Sequence, residues 1–131
     1  MRIRTLLALL ALLLVAVPAT AAPPPPLVEY SKTTFTAAQA ANLPIVVFVH
    51  AGWCITCRQQ QPIVQQLASD AAFTKQKLIV FVVDYADKAT LQELNVTDRS
   101  TLVAYRGRAE RARSSFETDA AAIRALFQRA L

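Results

Sequence analysis

The chain has 131 residues, 54% of them apolar, with 14 lysines and arginines against 9 acids and a formal net charge of +5. That length holds a single domain with a hydrophobic core of its own, so the two cysteines are not needed to staple the fold. Leaving out Arg2 and Arg4 reduces the charge to +3, with twelve bases against nine acids, which is only weak evidence for any acidic partner, and a nucleic-acid partner is not expected of an exported protein.

Arg2 and Arg4 precede an unbroken apolar run from Leu6 to Val17, followed by Pro18-Ala19-Thr20-Ala21. A charged start, a short apolar segment and an Ala-x-Ala end describe a secretory signal peptide over residues 1–21, cleaved after Ala21 or, as second choice, Ala22. As a helix the run would span only about 18 Å, short of a bilayer's hydrocarbon core. An uncleaved anchor is the rival reading. No cysteine follows the apolar run, so nothing indicates a lipid anchor. Export places the protein in the periplasm or outside the cell, where a thiol pair does not stay reduced by default.

Residues 22–26 include four consecutive prolines, Pro23 to Pro26, and are expected to form a stiff extended tether. One domain is expected over 27–131. Leu27 to Tyr30 suits a short edge strand. Thr36 to Ala41 is alanine-rich and helical, with Thr34 or Thr36 as its cap and Asn42 as its end. After Pro44, Ile45 to Val49 is β-branched and aromatic, the most strand-like run in the chain. A helix from Arg58 to Ser69 follows, with Pro62 in its interior, where it removes a hydrogen bond and predicts a kink. Leu78 to Val83 is a second unbroken apolar run, which predicts a parallel strand beside the first, covered on both faces. A short helix over Asp87 to Leu94 ends at Asn95. Thr101 to Tyr105 and Ala109 to Arg113 form a hairpin around Arg106-Gly107. Asp119 to Leu131 is an amphipathic terminal helix. The arginines at 99, 106, 108, 111 and 113 are expected to keep the hairpin edge solvated.

Between the first long strand and its helix lies Ala51-Gly52-Trp53-Cys54-Ile55-Thr56-Cys57-Arg58, which holds both cysteines. A thiol at a helix N-terminus meets unpaired backbone N–H groups and the positive end of the helix dipole, and both lower its pKa. Cys54 is therefore the candidate nucleophile. Cys57, one turn further in, is the candidate resolving thiol.

The order of elements, the Trp53-Cys54-x-x-Cys57 motif and Pro62 eight residues after Cys54 together resemble the thioredoxin family, over about residues 27–131. The surrounding His50-Ala51-Gly52-Trp53-Cys54 is similar to exported thioredoxin-like proteins and to reductase-coupled domains of the DsbD type. The resemblance implies an α/β thioredoxin fold, with a central mixed sheet of four to five strands flanked by helices. It implies a thiol:disulfide oxidoreductase working through a redox-active Cys54–Cys57 disulfide with no other cofactor. Its partners would be disulfide-bearing proteins, with electrons supplied by a membrane carrier of the DsbD/CcdA type. A monomer is expected.

Two positions depart from the family pattern. Phe48 stands where thioredoxins keep a buried acid, and Ser100 stands where they keep a cis-proline, in the segment Arg99-Ser100-Thr101. The Arg99–Ser100 bond is expected to be trans or, if cis, strained. Trp53 is expected to shield the nucleophilic sulfur. His50, the only histidine, is a candidate acceptor for the Cys57 proton, against the plainer reading of a strand-end histidine with a backbone partner. Two other uses of the cysteines stay open: a structural disulfide, or a copper(I) delivery site with His50 as third ligand.

Overall fold

The computed structural model describes residues 16–19 and 27–131. The expected tether at 22–26, and the expected signal peptide apart from residues 16–19, lie outside the described residues. Ten elements follow in order: β1 (Leu27–Glu29), α1 (Lys32–Ala40), β2 (Pro44–His50), α2 (Ile55–Ser69), α3 (Ala71–Thr74), β3 (Ile79–Asp84), α4 (Lys88–Glu93), β4 (Thr101–Arg106), β5 (Ala109–Ser115) and α5 (Ala120–Arg129).

The sheet has five strands in the order β1-β3-β2-β4-β5. Strands β1, β3 and β2 run parallel, with Val47 opposite Phe81 in the centre. Strand β4 returns antiparallel to β2, and β5 pairs antiparallel to β4. The β2–β3 pairing is the parallel one that the two apolar runs predict. Every residue of β2 except His50 is buried, because the strand lies mid-sheet with helices on both faces. Val46 and Phe48 pack with residues of α2 and α5, while Ile45, Val47 and Val49 pack with α1 and α4. Phe73 and Phe127 close the first side, their rings 5.5 Å apart at 68°. Each such buried phenylalanine contributes about 2–3 kcal/mol of transfer free energy.

The helix starts differ from expectation for reasons that lie in their caps. Helix α1 begins at Lys32 because Ser31 is the cap, its hydroxyl accepting the N–H of Thr34 at 3.2 Å. Thr34 is thus the cap's partner, not the cap. Helix α2 begins at Ile55, three residues before the sequence pattern suggests, because Cys54 caps it: Sγ accepts the Cys57 N–H at 3.3 Å. Helix α3 has no counterpart among the expected elements. It is a single turn capped by Asp70, whose carboxylate accepts the Ala72 N–H at 2.8 Å.

The hairpin turn has the specific backbone demand that its lone glycine suggests. Gly107 has φ +55, and a Cβ there would stand 2.6 Å from Asn42 Oδ1 and 3.2 Å from the Gln39 carbonyl. Its N–H donates to the Leu43 carbonyl at 2.9 Å, which ties the hairpin to the segment between α1 and β2. The sheet thereby holds β2 between β3 and β4, and the cysteine loop leaves from the carboxyl end of that central strand, where open α/β sheets place their sites.

Candidate active site

Two loops meet at the carboxyl end of β2. One is Ala51 to Cys54, entering α2. The other is Asp98 to Ser100, entering β4. The N–H of Ser100 donates to the Val49 carbonyl at 3.0 Å, which fixes the second loop against the end of β2.

Both cysteines are free thiols and both are buried, Cys54 at 3% exposure and Cys57 at 0%. The hydroxyl of Ser100 lies 3.1 Å from Cys54 Sγ and 3.0 Å from Cys57 Sγ. Cys57 Sγ also points toward the Val49 carbonyl at 3.9 Å. Burial on its own would raise the pKa of Cys54. Hydrogen bonds from Cys57, Ser100 and Arg99 outweigh it and bring the thiol down to about 7. Cys57 goes the other way, raised by burial and then by its hydrogen bond to the Cys54 sulfur. Cys54 is therefore the more easily ionised thiol, on the rim beside Trp53, and Cys57 is held protonated behind it.

Ser100 is itself rigidly mounted. It has φ +57, a left-handed conformation that costs a residue with a Cβ about 1–2 kcal/mol. Its carbonyl accepts the Phe116 N–H at 3.0 Å and Gln60 Nε2 at 3.1 Å. Gln60 is fully buried and donates a second time, to the Glu117 carbonyl at 2.8 Å. One side chain of α2 thus fastens both the β4 loop and the segment after β5. Thr101, 1% exposed, adds a pin: its Oγ1 donates to the Asp98 carbonyl at 2.7 Å and lies 2.8 Å from Ser115 Oγ.

On the surface, Trp53 is 67% exposed and Ile55 66%. The Trp53 ring meets Tyr85 at 6.3 Å and 70°, and the Arg99 guanidinium lies over it at 5.1 Å. Trp53 flanks the pair as an exposed platform rather than a cover.

The sequence profile described as thioredoxin matches residues 26–129. The chain belongs to the thioredoxin family. A comparison with solved structures finds Trxlp from Edwardsiella tarda EIB202 at 36% identity and a TM-score of 0.73, covering 77% of this chain and 97% of that one. Thioredoxin O2 from Arabidopsis thaliana, in its oxidised state, has 20% identity and a TM-score of 0.65, covering 83% and 97%. The thioredoxin of Malassezia sympodialis has 18% identity and a TM-score of 0.69, covering 81% and 95%. The last two speak for the fold alone. Comparison with curated proteins finds no match.

Within this thioredoxin fold, Cys54 and Cys57 form the redox CxxC pair. Trp53, Arg99, Ser100 and Thr101 gather around it. His50 does not join them. Its ring stacks edge-on against Phe48, 5.4 Å between centroids, and neither sulfur has a hydrogen bond to it. His50 Nε2 is buried with no hydrogen-bond partner, and the residue ends β2 with its carbonyl accepting the Tyr85 N–H at 2.9 Å, which fits the plainer reading of a strand-end histidine with a backbone partner. The reason is strand alternation, which puts residues 48 and 50 on the same side of β2. Among the described residues no three His, Cys, Asp or Glu side chains gather to hold a metal ion, so the three-ligand copper site does not assemble. Pro62 lies inside α2, about two turns beyond Cys54, and has no hydrogen bond to either sulfur. No peptide bond among the described residues is cis, so Arg99–Ser100 is trans, and the local cost falls on the φ of Ser100.

Gln60 is the site residue that sequence reading missed. The signal was available in the stripe of buried positions along α2, Cys57, Gln60, Val64 and Leu67, where one amide interrupts an apolar helix face.

Proposed function

We propose that the protein is an exported thiol:disulfide reductase of the periplasm, which passes electrons from a membrane carrier of the DsbD/CcdA type to disulfide-bearing proteins. The observation that carries the chemistry is the pair of free thiols at the start of α2, Cys54 Sγ accepting the Cys57 N–H at 3.3 Å; the reducing direction follows the resemblance to reductase-coupled domains, and a Cys54 thiol lowered to about 7 agrees with it. A dithiol whose thiolate is strongly stabilised resists oxidation of its own pair and acts as an oxidant on others. The strongest oxidants have nucleophiles near pKa 3.5, whereas reductants of this fold sit near 7.

The chemistry runs in two steps. Cys54, as thiolate, attacks one sulfur of the partner's disulfide and releases the other as a thiolate. Cys57 then attacks Cys54, the partner departs fully reduced, and a Cys54–Cys57 disulfide remains. The partner has gained two electrons and two protons. The exposed Trp53 and Ile55 offer that partner a flat apolar contact beside the nucleophile, consistent with protein substrates and with a protein that works as a monomer. Export is supported by the charged, apolar and Ala-x-Ala pattern of residues 1–21.

The test is the reduction potential of the pair against glutathione, together with reduction of a disulfide-bonded protein such as insulin. The expected potential is about −270 mV, below the glutathione pool. A value above about −180 mV would make the protein an oxidant or isomerase and overturn the reductase reading.

A further inference from the structure

The two reaction steps need opposite things of Cys57. It must stay protonated while Cys54 attacks, and lose its proton when its own turn comes. No acid stands at position 48 to help, and His50 faces elsewhere. Apart from Cys54, the only side chain hydrogen-bonded to Cys57 Sγ among the described residues is Ser100, and its hydroxyl bonds Cys54 as well.

Ser100 is 0% exposed, and its backbone is fixed at both ends by Val49, Phe116 and Gln60. Its Oγ lies between the two sulfurs, 3.1 Å from Cys54 and 3.0 Å from Cys57, and the freedom that remains there is the direction of its hydrogen. A hydroxyl donates one hydrogen bond and accepts two, so between two sulfurs it donates to one and accepts from the other. With Cys54 ionised, the O–H points at Cys54 and receives the S–H of Cys57. Once Cys54 is capped in a mixed disulfide it carries no charge, and the donor is free to turn to Cys57 Sγ, 3.0 Å away.

We propose that Ser100 is a catalytic residue that switches its hydroxyl hydrogen from the Cys54 thiolate to the Cys57 thiolate and so transfers nucleophilicity from Cys54 to Cys57. In that step the Cys57–Cys54 sulfur bond forms, the bond from Cys54 to the partner sulfur breaks, and its electron pair leaves with the partner. The Cys57 proton leaves to water as the Ser100 hydroxyl donates to the thiolate that remains, and the departing partner thiolate takes its proton from water. Ser100 ends neutral, the partner leaves as a thiol and the pair is oxidised. The proposal rests on the oxidoreductase reading.

The experiment compares reduced wild type with Ser100→Gly and Ser100→Ala, oxidised either by glutathione disulfide or by dithiobis-nitrobenzoate. Glycine accepts φ +57 without strain, so that variant removes the hydroxyl and keeps the backbone. Acid-quenched samples are analysed by mass for the mixed disulfide on Cys54. With glutathione disulfide, whose leaving thiol is basic, resolution is expected to slow about tenfold in both variants and the glutathionylated intermediate to accumulate. With dithiobis-nitrobenzoate the loss should be of similar size, because the hydroxyl acts on the attacking sulfur and not on the leaving one. Wild-type resolution rates in the variants would overturn the proposal, and so would a loss that does not shrink between pH 7 and pH 10, which would mean a structural role. Failure of the wild type to form a Cys54–Cys57 disulfide with either oxidant would instead sink the oxidoreductase reading, whatever Ser100 does.

Discussion

The guanidinium carbon of Arg99 lies 5.1 Å from the centre of the Trp53 indole and 5.5 Å from that of the Phe116 ring, a cation held between two exposed aromatics beside Cys54. The arrangement orients the arginine without neutralising it. Aromatic faces attract the charge, no carboxylate pairs with it among the described residues, and its Nε is buried with no partner. The positive charge is left to act on the neighbouring sulfur, and Arg99 is one of the groups that lower the Cys54 pKa.

Arg99→Ala should therefore raise the Cys54 pKa from about 7 toward its ordinary value of 9.0. The rate of alkylation by iodoacetamide should fall by up to about threefold at pH 7, Arg99 being the smallest of the groups that lower this pKa, and hardly at all at pH 10, where Cys54 is ionised in either protein. Arg99→Lys should recover part of the effect, because an ammonium keeps the charge but not the planar stacking. An unchanged alkylation profile in Arg99→Ala would show that the helix terminus and Ser100 suffice.

The split between the two thiols makes the reduction potential bend with pH. Below about 7 both thiols are protonated and oxidation releases two protons; above 7 Cys54 is already ionised and one is released. For a two-electron couple each proton is worth about 30 mV per pH step, so the slope should change from about 60 to about 30 mV near pH 7. Stability of the dithiol follows the same titration. The folded pKa of Cys54 is depressed from 9.0, so its contribution is present above pH 9 and is lost as pH falls through 7. Cys57 has the opposite sign, its pKa being raised, and its contribution is lost as the pH climbs past 9. Urea melts of the reduced protein should show stability rising from pH 7 to 9, then declining; the oxidised protein, with neither thiol, should show neither trend.

Much of this could be read from the chain. Ile45 to Val49 and Leu78 to Val83 announced buried parallel strands because a strand covered on both faces must be apolar at every position, a pattern without alternation. Cys54 and Cys57 announced the site through their spacing at a strand-to-helix junction. What the sequence could not show was direction. Whether His50 looks toward the sulfurs depends on which face of β2 residue 50 takes, and hence on where the strand stops. Ser100 was visible as a departure, but its contact with both sulfurs depends on a left-handed φ and three backbone hydrogen bonds that no local pattern encodes. The role of Gln60 likewise comes from carbonyls 40 and 57 residues away in the chain.

Gln60 offers a test of that mounting. Gln60→Met keeps the shape of the side chain and removes both hydrogen bonds, leaving the part-buried Glu117 carbonyl without this donor and the buried Ser100 carbonyl with one bond fewer. The cost should be about 2–3 kcal/mol of unfolding free energy in urea. Because Ser100 would lose one of its three backbone ties, the Cys54 pKa should also drift upward, read from thiolate absorbance against pH. A loss of stability with no movement of the thiolate titration would separate the fold's need for Gln60 from the site's.

His50 supplies the complementary case, a residue near the pair that should not matter to its chemistry. Its ring lies against Phe48, 5.4 Å centre to centre at 69°, on the side of β2 that packs toward α2 and α5. An edge-to-face aromatic contact is worth about 0.5–1.5 kcal/mol, and the buried Nε2 without a partner subtracts from that. His50→Phe should then keep or slightly increase stability, and His50→Ala should lose about 1 kcal/mol. In both, the pH profile for resolution of a Cys54 mixed disulfide by Cys57 should stay within about twofold of wild type, since no proton passes through this ring. A profile that moved in both variants, with Ser100 intact, would put the histidine back in the proton path and require the imidazole to turn from Phe48 toward the sulfurs during turnover.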